Sequence, residues 1–301
     1  MAESTLFDEK TLHKLEQLAL VASQVRAGAI KGERRSTKRG TSIEFADYRN
    51  YTRGDDLRRV DWNIFARLER PFIKLLEEEE DLAVHLLLDA SASMDWPRDP
   101  GAPSAAHKFT FARRLLAGLG YIALVSGDRL SVRALGGPAP QQWGPGRGRG
   151  RILEVLGMVE EFQTGGETAL SVSLRAYALR GGRPGLCIVI SDLFSSDGYA
   201  DGLTALLGRG HEIALLHVLS PDEVNPPLAG DLRLVDVETA SGQDVSVDDS
   251  MRDLYRRRLV AWRESIQAYC AARGVHYVPV ETSVPWEEVI LYQLRRLGVV
   301  R

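Results

Sequence analysis

Three oxygen-bearing side chains, Asp89, Ser91 and Ser93, stand at alternate positions where the apolar run Leu82-Ala-Val-His-Leu-Leu-Leu-Asp89 gives way to Ala-Ser-Ala-Ser-Met94. One carboxylate and two hydroxyls at this spacing can converge on one point. Such hard oxygens suit Mg²⁺ or Mn²⁺, whereas zinc takes imidazole or thiolate. Alone the triplet is a weak signal, because Ser and Asp are also ordinary turn and helix-cap residues. Two later stretches strengthen it. Gly165-Gly-Glu-Thr168-Ala-Leu is a glycine turn opening a helix, and Leu186-Cys-Ile-Val-Ile-Ser-Asp192 is a second apolar run ending in a carboxylate. The candidate metal set is therefore Asp89, Ser91, Ser93, Thr168 and Asp192. Two carboxylates balance a divalent charge while three neutral hydroxyls add none, so the ion stays electrophilic. Its natural further ligand is an acidic side chain of a partner.

The elements that must position these residues follow from hydrophobic pattern. Runs as apolar as Leu82–Leu88 and Leu186–Ile190 predict strands buried on both faces of a parallel sheet, and such sheets bind ligands at the carboxyl ends of their strands. Strands are also expected at Phe72–Leu76, Asp128–Leu135, Glu212–Leu219 and Val275–Val280. Helices are expected over Asp8 to about Ala29, Ala105–Val125, Ile152–Phe162, Ala169–Leu179, near Tyr199–Leu207, Arg252–Arg273 and Trp286–Leu297. This alternation predicts an α/β fold with a doubly wound, mostly parallel sheet. An N-terminal extension occupies 1–80, the α/β domain 81–301, and a β-hairpin is inserted at about 231–248.

The order Asp-x-Ser-x-Ser, Thr in a glycine turn, strand-end Asp resembles the metal-ion-dependent adhesion site of von Willebrand factor A-type domains, with all five ligand positions filled. Upstream, Glu44-Phe-Ala-Asp-Tyr-Arg-Asn-Tyr51 and Gly54-Asp-Asp-Leu-Arg-Arg-Val-Asp-Trp62 closely resemble the signature of bacterial proteins grouped as domain of unknown function 58, in which that signature precedes a von Willebrand A-type domain. The resemblance implies metal-dependent capture of a protein carboxylate, and a role as adaptor or co-chaperone beside a MoxR-type AAA+ ATPase.

The signature segment interleaves aromatic residues with both signs of charge at a density that no simple strand or helix period explains. Arg49, Arg53, Arg58, Arg59 and Arg67 face Glu44, Asp47, Asp55, Asp56 and Asp61, so an internal arginine–carboxylate network is expected there, with Trp62 beside it; a partner-binding surface is the alternative. Two other basic stretches, Lys31–Gly40 and Gly144-Pro-Gly-Arg-Gly-Arg-Gly-Arg151, read as exposed loops. The second could bind phosphate, but it lacks a P-loop ending and interleaved aromatic residues, so nucleic acid is not the expected partner. The acidic run Glu77–Asp81 reads as a solvated edge.

With 44% hydrophobic and 26% charged residues and a formal net charge of -3, the 301-residue chain has no global attraction to nucleic acid or to a membrane surface. Its two cysteines, Cys187 and Cys270, support neither a disulfide framework nor a thiolate metal cluster. No secretory leader or membrane-spanning run is apparent, so a cytoplasmic location is expected. His85 and His217 sit in apolar strands and read as satisfied core histidines, leaving Asp95 as the polar group near the metal turn. Without a positioned base or nucleophile motif, the expectation is a binding module with no small-molecule cofactor. A metal-dependent phosphoesterase is the competing class.

Overall fold

A computed structural model describes residues 7, 9–22, 43–52, 60–78, 81–98, 106–139, 141–236 and 241–301. The chain divides into two compact units, Gly32–Asp81 and a larger one formed by Met1–Lys31 with Leu82–Arg301. In the smaller unit, strands β1 (Ile43–Asn50) and β2 (Phe72–Glu78) pair antiparallel, with a register shift between Phe45 and Asp47. Helix α2 (Trp62–Leu68) begins at Asp61, whose Oδ1 accepts the amides of Asn63 and Ile64 at 2.9 and 3.2 Å. Within its described residues, the segment without an evident period thus holds a bulged strand and a capped short helix.

The larger unit is built on a six-stranded sheet. Its strands are β3 (Ala83–Asp89), β4 (Arg129–Leu135), β5 (Gln142–Gly146), β6 (Leu186–Ser191), β7 (Glu212–Leu219) and β10 (His276–Glu281), in the order β10-β7-β6-β3-β4-β5. All neighbours are parallel except β4 and β5. Strands β3, β6 and β7 are buried along their whole length, as their unbroken apolar runs require of a sheet covered on both faces. Alternate side chains serve opposite layers. Val84, Leu86 and Leu88 pack with helix α3 (Lys108–Val125) and helix α4 (Ile152–Glu160), whereas Leu87, Cys187 and Val189 pack with α5 (Leu170–Leu179), α6 (Ala200–Gly208) and α7 (Asp249–Ala271). The hairpin expected at about 231–248 is present as β8 (Gly230–Val235) and β9 (Gly242–Val247), paired antiparallel. The closing helical segment is a short turn, Trp286–Glu288, running into a π-helical Val289–Leu294.

Two expectations are corrected. The first helix, α1, covers only Glu9–Glu16 and does not reach Ala29 within the described residues. Beyond it the chain is extended. Ala19 and Val21 donate to Arg301 and Val299 carbonyls at 3.2 and 2.9 Å, and Leu18, Leu20 and Ala22 enter the core at period two. Apolar residues at these positions satisfy both a helical and an alternating template, and pairing with the carboxyl end decides for the second. That pairing also places the N-terminal segment in the larger unit, not with the signature region. The glycine–arginine stretch, expected as an exposed loop, starts inside edge strand β5 and continues into a 3₁₀ turn at Arg149–Arg151. Among the described residues no helix is long and apolar enough to cross a membrane.

Candidate metal centre

Helical crossovers carry the chain one way from β3 to β4 and the other way to β6 and β7, so a crevice opens at the carboxyl ends of β3 and β6, where the order reverses. Asp89 is the last residue of β3 and Asp192 follows the last residue of β6; both are buried. Asp89 Oδ1 accepts the Ser91 amide at 3.0 Å, and its Oδ2 accepts the Ser191 hydroxyl at 2.5 Å. Ser91 stands at the N-terminal boundary of the 3₁₀ turn Ala92–Met94, and its hydroxyl lies 2.9 Å from that of Ser93. The glycine turn is tied to this loop by backbone: Gly165 donates to the Ala90 carbonyl and Ala92 to the Gly166 carbonyl, each at 3.0 Å. Ser195, in the loop after β6, donates through its hydroxyl to the Thr168 carbonyl and accepts the Leu170 amide at 3.1 Å. The loops bearing the five expected ligands are therefore stitched into one cluster.

Thr168 is the informative member. Its side chain is buried, and Oγ1 has no hydrogen-bond partner among the described residues. Gly136, at φ 78°, makes room for it, since a Cβ there would meet that oxygen at 2.0 Å. An unpartnered buried hydroxyl is destabilising unless something else fills its coordination. The acids carry a matching imbalance. Burial, then the nearby Asp192 charge, push Asp89 up to about 6 despite hydrogen bonds from Ser191 and Ser91.

The sequence did not reveal the group that holds Asp192. Lys108, at the start of α3, is fully buried, and its ammonium donates to Asp192 Oδ2 at 2.7 Å and to Glu223 Oε1 at 2.6 Å. It also lies 5.2 Å from the centre of the Phe194 ring. Asp192 Oδ1 accepts the Phe194 amide at 3.1 Å. Glu223 is fixed by a capping box with Ser220, a pattern legible as Ser220-Pro-Asp-Glu223. Nothing in the local pattern marks Lys108 as buried, because lysine at a helix start is normally solvated. Asp89, Asp192 and Glu223 against Lys108 leave three carboxylates for one ammonium, a formal surplus of two negative charges.

These residues fit a hard dication. Among the described residues no three His, Cys, Asp or Glu side chains gather as a metal cluster, so a cation here would rest on the carboxylates of Asp89 and Asp192 with the hydroxyls of Ser91, Ser93 and Thr168. Asp95, the other polar group near the metal turn, is bound by His107 Nε2 at 3.1 Å and Arg98 Nε at 3.2 Å. His85 and His217 are core residues: each places Nδ1 on a tyrosine hydroxyl, Tyr177 at 2.7 Å and Tyr277 at 2.8 Å. Both cysteines are free and buried.

Of the expected arginine–carboxylate network, Asp61 is a buried helix cap and Trp62 is 60% exposed, edge-on to Phe65. Arg53, Asp55, Asp56, Arg58 and Arg59 lie outside the described residues, as do the Arg49 side chain and the basic stretch at 31–40.

Uncharacterized proteins of Mycobacterium bovis and Mycobacterium tuberculosis are each 26% identical over 289 residues, covering 95% of this chain and 89% of theirs. Two solved structures are similar at a lower level. A conserved hypothetical protein BatB from Bacteroides thetaiotaomicron is 16% identical, with 72% of this chain and 98% of that one covered and a TM-score of 0.41. An aerotolerance-related membrane protein from Bacteroides fragilis is 15% identical, with 71% and 99% covered and a TM-score of 0.42. The model described as "Protein of unknown function DUF58" matches residues 47–265, most of the chain, and the protein belongs to that family.

Proposed function

We propose that this protein is a Mg²⁺- or Mn²⁺-dependent protein-binding module of von Willebrand factor A-like fold, with a metal-ion-dependent adhesion site at Asp89, Ser91, Ser93, Thr168 and Asp192. The observation that carries this reading is the buried Thr168 hydroxyl, without a partner among the described residues, in the loop cluster that also carries two buried carboxylates at the sheet's switch point. A bound dication supplies a Lewis-acidic position that a partner's Asp or Glu side chain can occupy. The chain's own residues do the rest. Ser191 and the Ser91 amide orient Asp89, Lys108 fixes Asp192, and the backbone ties between the loops hold the hydroxyls in register.

Binding is favoured over phosphoester hydrolysis because the polar groups around the crevice are already committed. Lys108 is held between two acids, and Asp95 is held by His107 and Arg98. In the cell we place the module as an adaptor or co-chaperone of a MoxR-type AAA+ ATPase, a role supported by the family signature.

The test is capture of the purified MoxR-type ATPase, and of an acidic client protein, in Mg²⁺ and in chelator. Capture that needs Mg²⁺ and is lost in Asp89→Ala supports the metal bridge. Equal capture in both buffers removes it. A phosphoesterase activity abolished by Asp192→Ala replaces the binding reading with the catalytic one.

A further inference from the structure

Strand β4, Arg-Leu-Ser-Val-Arg-Ala-Leu, has two unlike faces. Leu130, Val132 and Ala134 enter the apolar layer under α3. Arg129, Ser131 and Arg133 sit on the other face, which in a doubly wound sheet is ordinarily covered by a helix. Here they line a cavity of about 310 Å³, together with Tyr177 near the end of α5 and Arg180 and Arg183 just beyond it. Four guanidinium groups therefore border one small space in a chain whose net charge is -3, and no carboxylate is among its described lining residues. The arginines that the sequence made conspicuous are elsewhere: Arg151 pairs with Glu154 at 2.7 Å, and Arg149 lies 4.0 Å from Glu16.

We propose that this cavity is a binding site for a small phosphorylated anion. A monocarboxylate would offset one guanidinium, whereas a phosphoryl or oligophosphate group carries two or more negative charges. Its tetrahedral oxygens also accept the paired N–H donors of arginine. Arg133 is half-buried. Burial, then the facing Arg180 guanidinium, lower its pKa from the ordinary value, so a counter-anion would relieve both effects. The volume lies at the lower end of small-ligand sites, enough for a pyrophosphate or a mononucleotide. Ala83, at the cavity, stands six residues before Asp89 on β3, about 20 Å away at the rise of a strand, so the site is separate from the metal centre.

Calorimetric titration of the full chain in chelator with inorganic phosphate, pyrophosphate and AMP tests this and separates a free phosphate from a phosphorylated organic ligand. The expected result is one saturable site for at least one of the three. Affinity should fall at least tenfold in Arg133→Gln and in Arg180→Gln, and stay unchanged in Arg149→Gln. Arg180 is exposed, so its variant decides the question if Arg133→Gln fails to fold. No saturable binding at millimolar probe overturns the proposal. Equal weakening by Arg149→Gln overturns it too, because that is general charge attraction.

Discussion

A hydroxyl buried without a partner costs roughly 1–3 kcal/mol, so removing it should help the empty protein. Thr168→Val keeps the shape and deletes Oγ1. Its melting temperature in chelator should equal or exceed that of the parent, while the stabilisation added by Mg²⁺ should largely disappear. Thermal denaturation with and without the ion reads both, and a clear loss of stability in chelator would mean that the hydroxyl has a structural partner. Lys108 demands the opposite expectation. Replacing it with Met strands Asp192 and Glu223 in a buried site, a loss of about 3–5 kcal/mol. The double variant with Glu223→Gln should recover part of that loss, with a coupling of at least ~1 kcal/mol in chemical denaturation; strictly additive effects would show that the two groups do not sense each other. The gathering of the five candidate residues at one crevice was legible because each of the three stretches carries an oxygen-bearing side chain where a parallel sheet brings its loops together. Lys108 was not, since its burial is set by acids 84 and 115 residues further along the chain.

Elements were legible where one period dominates. Strands β3, β6 and β7 and helix α5 carry patterns that no tertiary contact has to override. The first helix and the glycine–arginine stretch carry ambiguous ones, and neighbours resolve them: the carboxyl terminus pulls residues 18–22 into an extended pairing, and β4 recruits Gln142–Gly146 as its antiparallel partner. Glycine itself, the reason to expect a loop, is what lets β5 approach so closely. Gly144 has φ 90°, and a Cβ there would lie 2.4 Å from the Leu130 carbonyl oxygen. Gly144→Ala should therefore cost about 1–3 kcal/mol, and hydrogen exchange should accelerate chiefly at the β4–β5 pairing. Protection unchanged along β5 would show that the edge is not held by this contact.

Across the whole molecule, the two ends of the sheet carry titrating groups with opposite effects on stability. At the amino end, His85 and His211 meet edge to face, 4.7 Å between ring centres. Nε2 of His85 donates to the Arg183 carbonyl at 3.0 Å, which leaves Nδ1 to accept from Tyr177, and His211 Nδ1 accepts the Gly185 amide at 3.4 Å. Both rings are thus built in neutral. Burial, then the neighbouring His85, lower His211 to about 4, and burial lowers His85 as well. Because His211 titrates lower in the folded chain than at its ordinary 6.5, the unfolded state binds more protons between those values. Its contribution is complete above pH 6.5 and is lost as pH falls towards 4. Asp89 behaves oppositely. Raised to about 6 from 3.8, it binds its proton more readily when folded, so stability is lost as pH rises through that window. In chelator, Asp89→Asn should therefore stabilise the protein at pH 7 and lose that advantage as pH drops from 6 to 4, whereas His211→Gln should flatten the acid side of the stability profile. Mg²⁺ selects the ionised carboxylate, so its affinity for the parent should weaken as pH falls through about 6. Urea unfolding of the three proteins from pH 4 to 8, paired with Mg²⁺ titrations over the same range, measures all three slopes. A Mg²⁺ affinity indifferent to pH across 5–7 would place the ion away from Asp89 and detach the metal reading from this crevice.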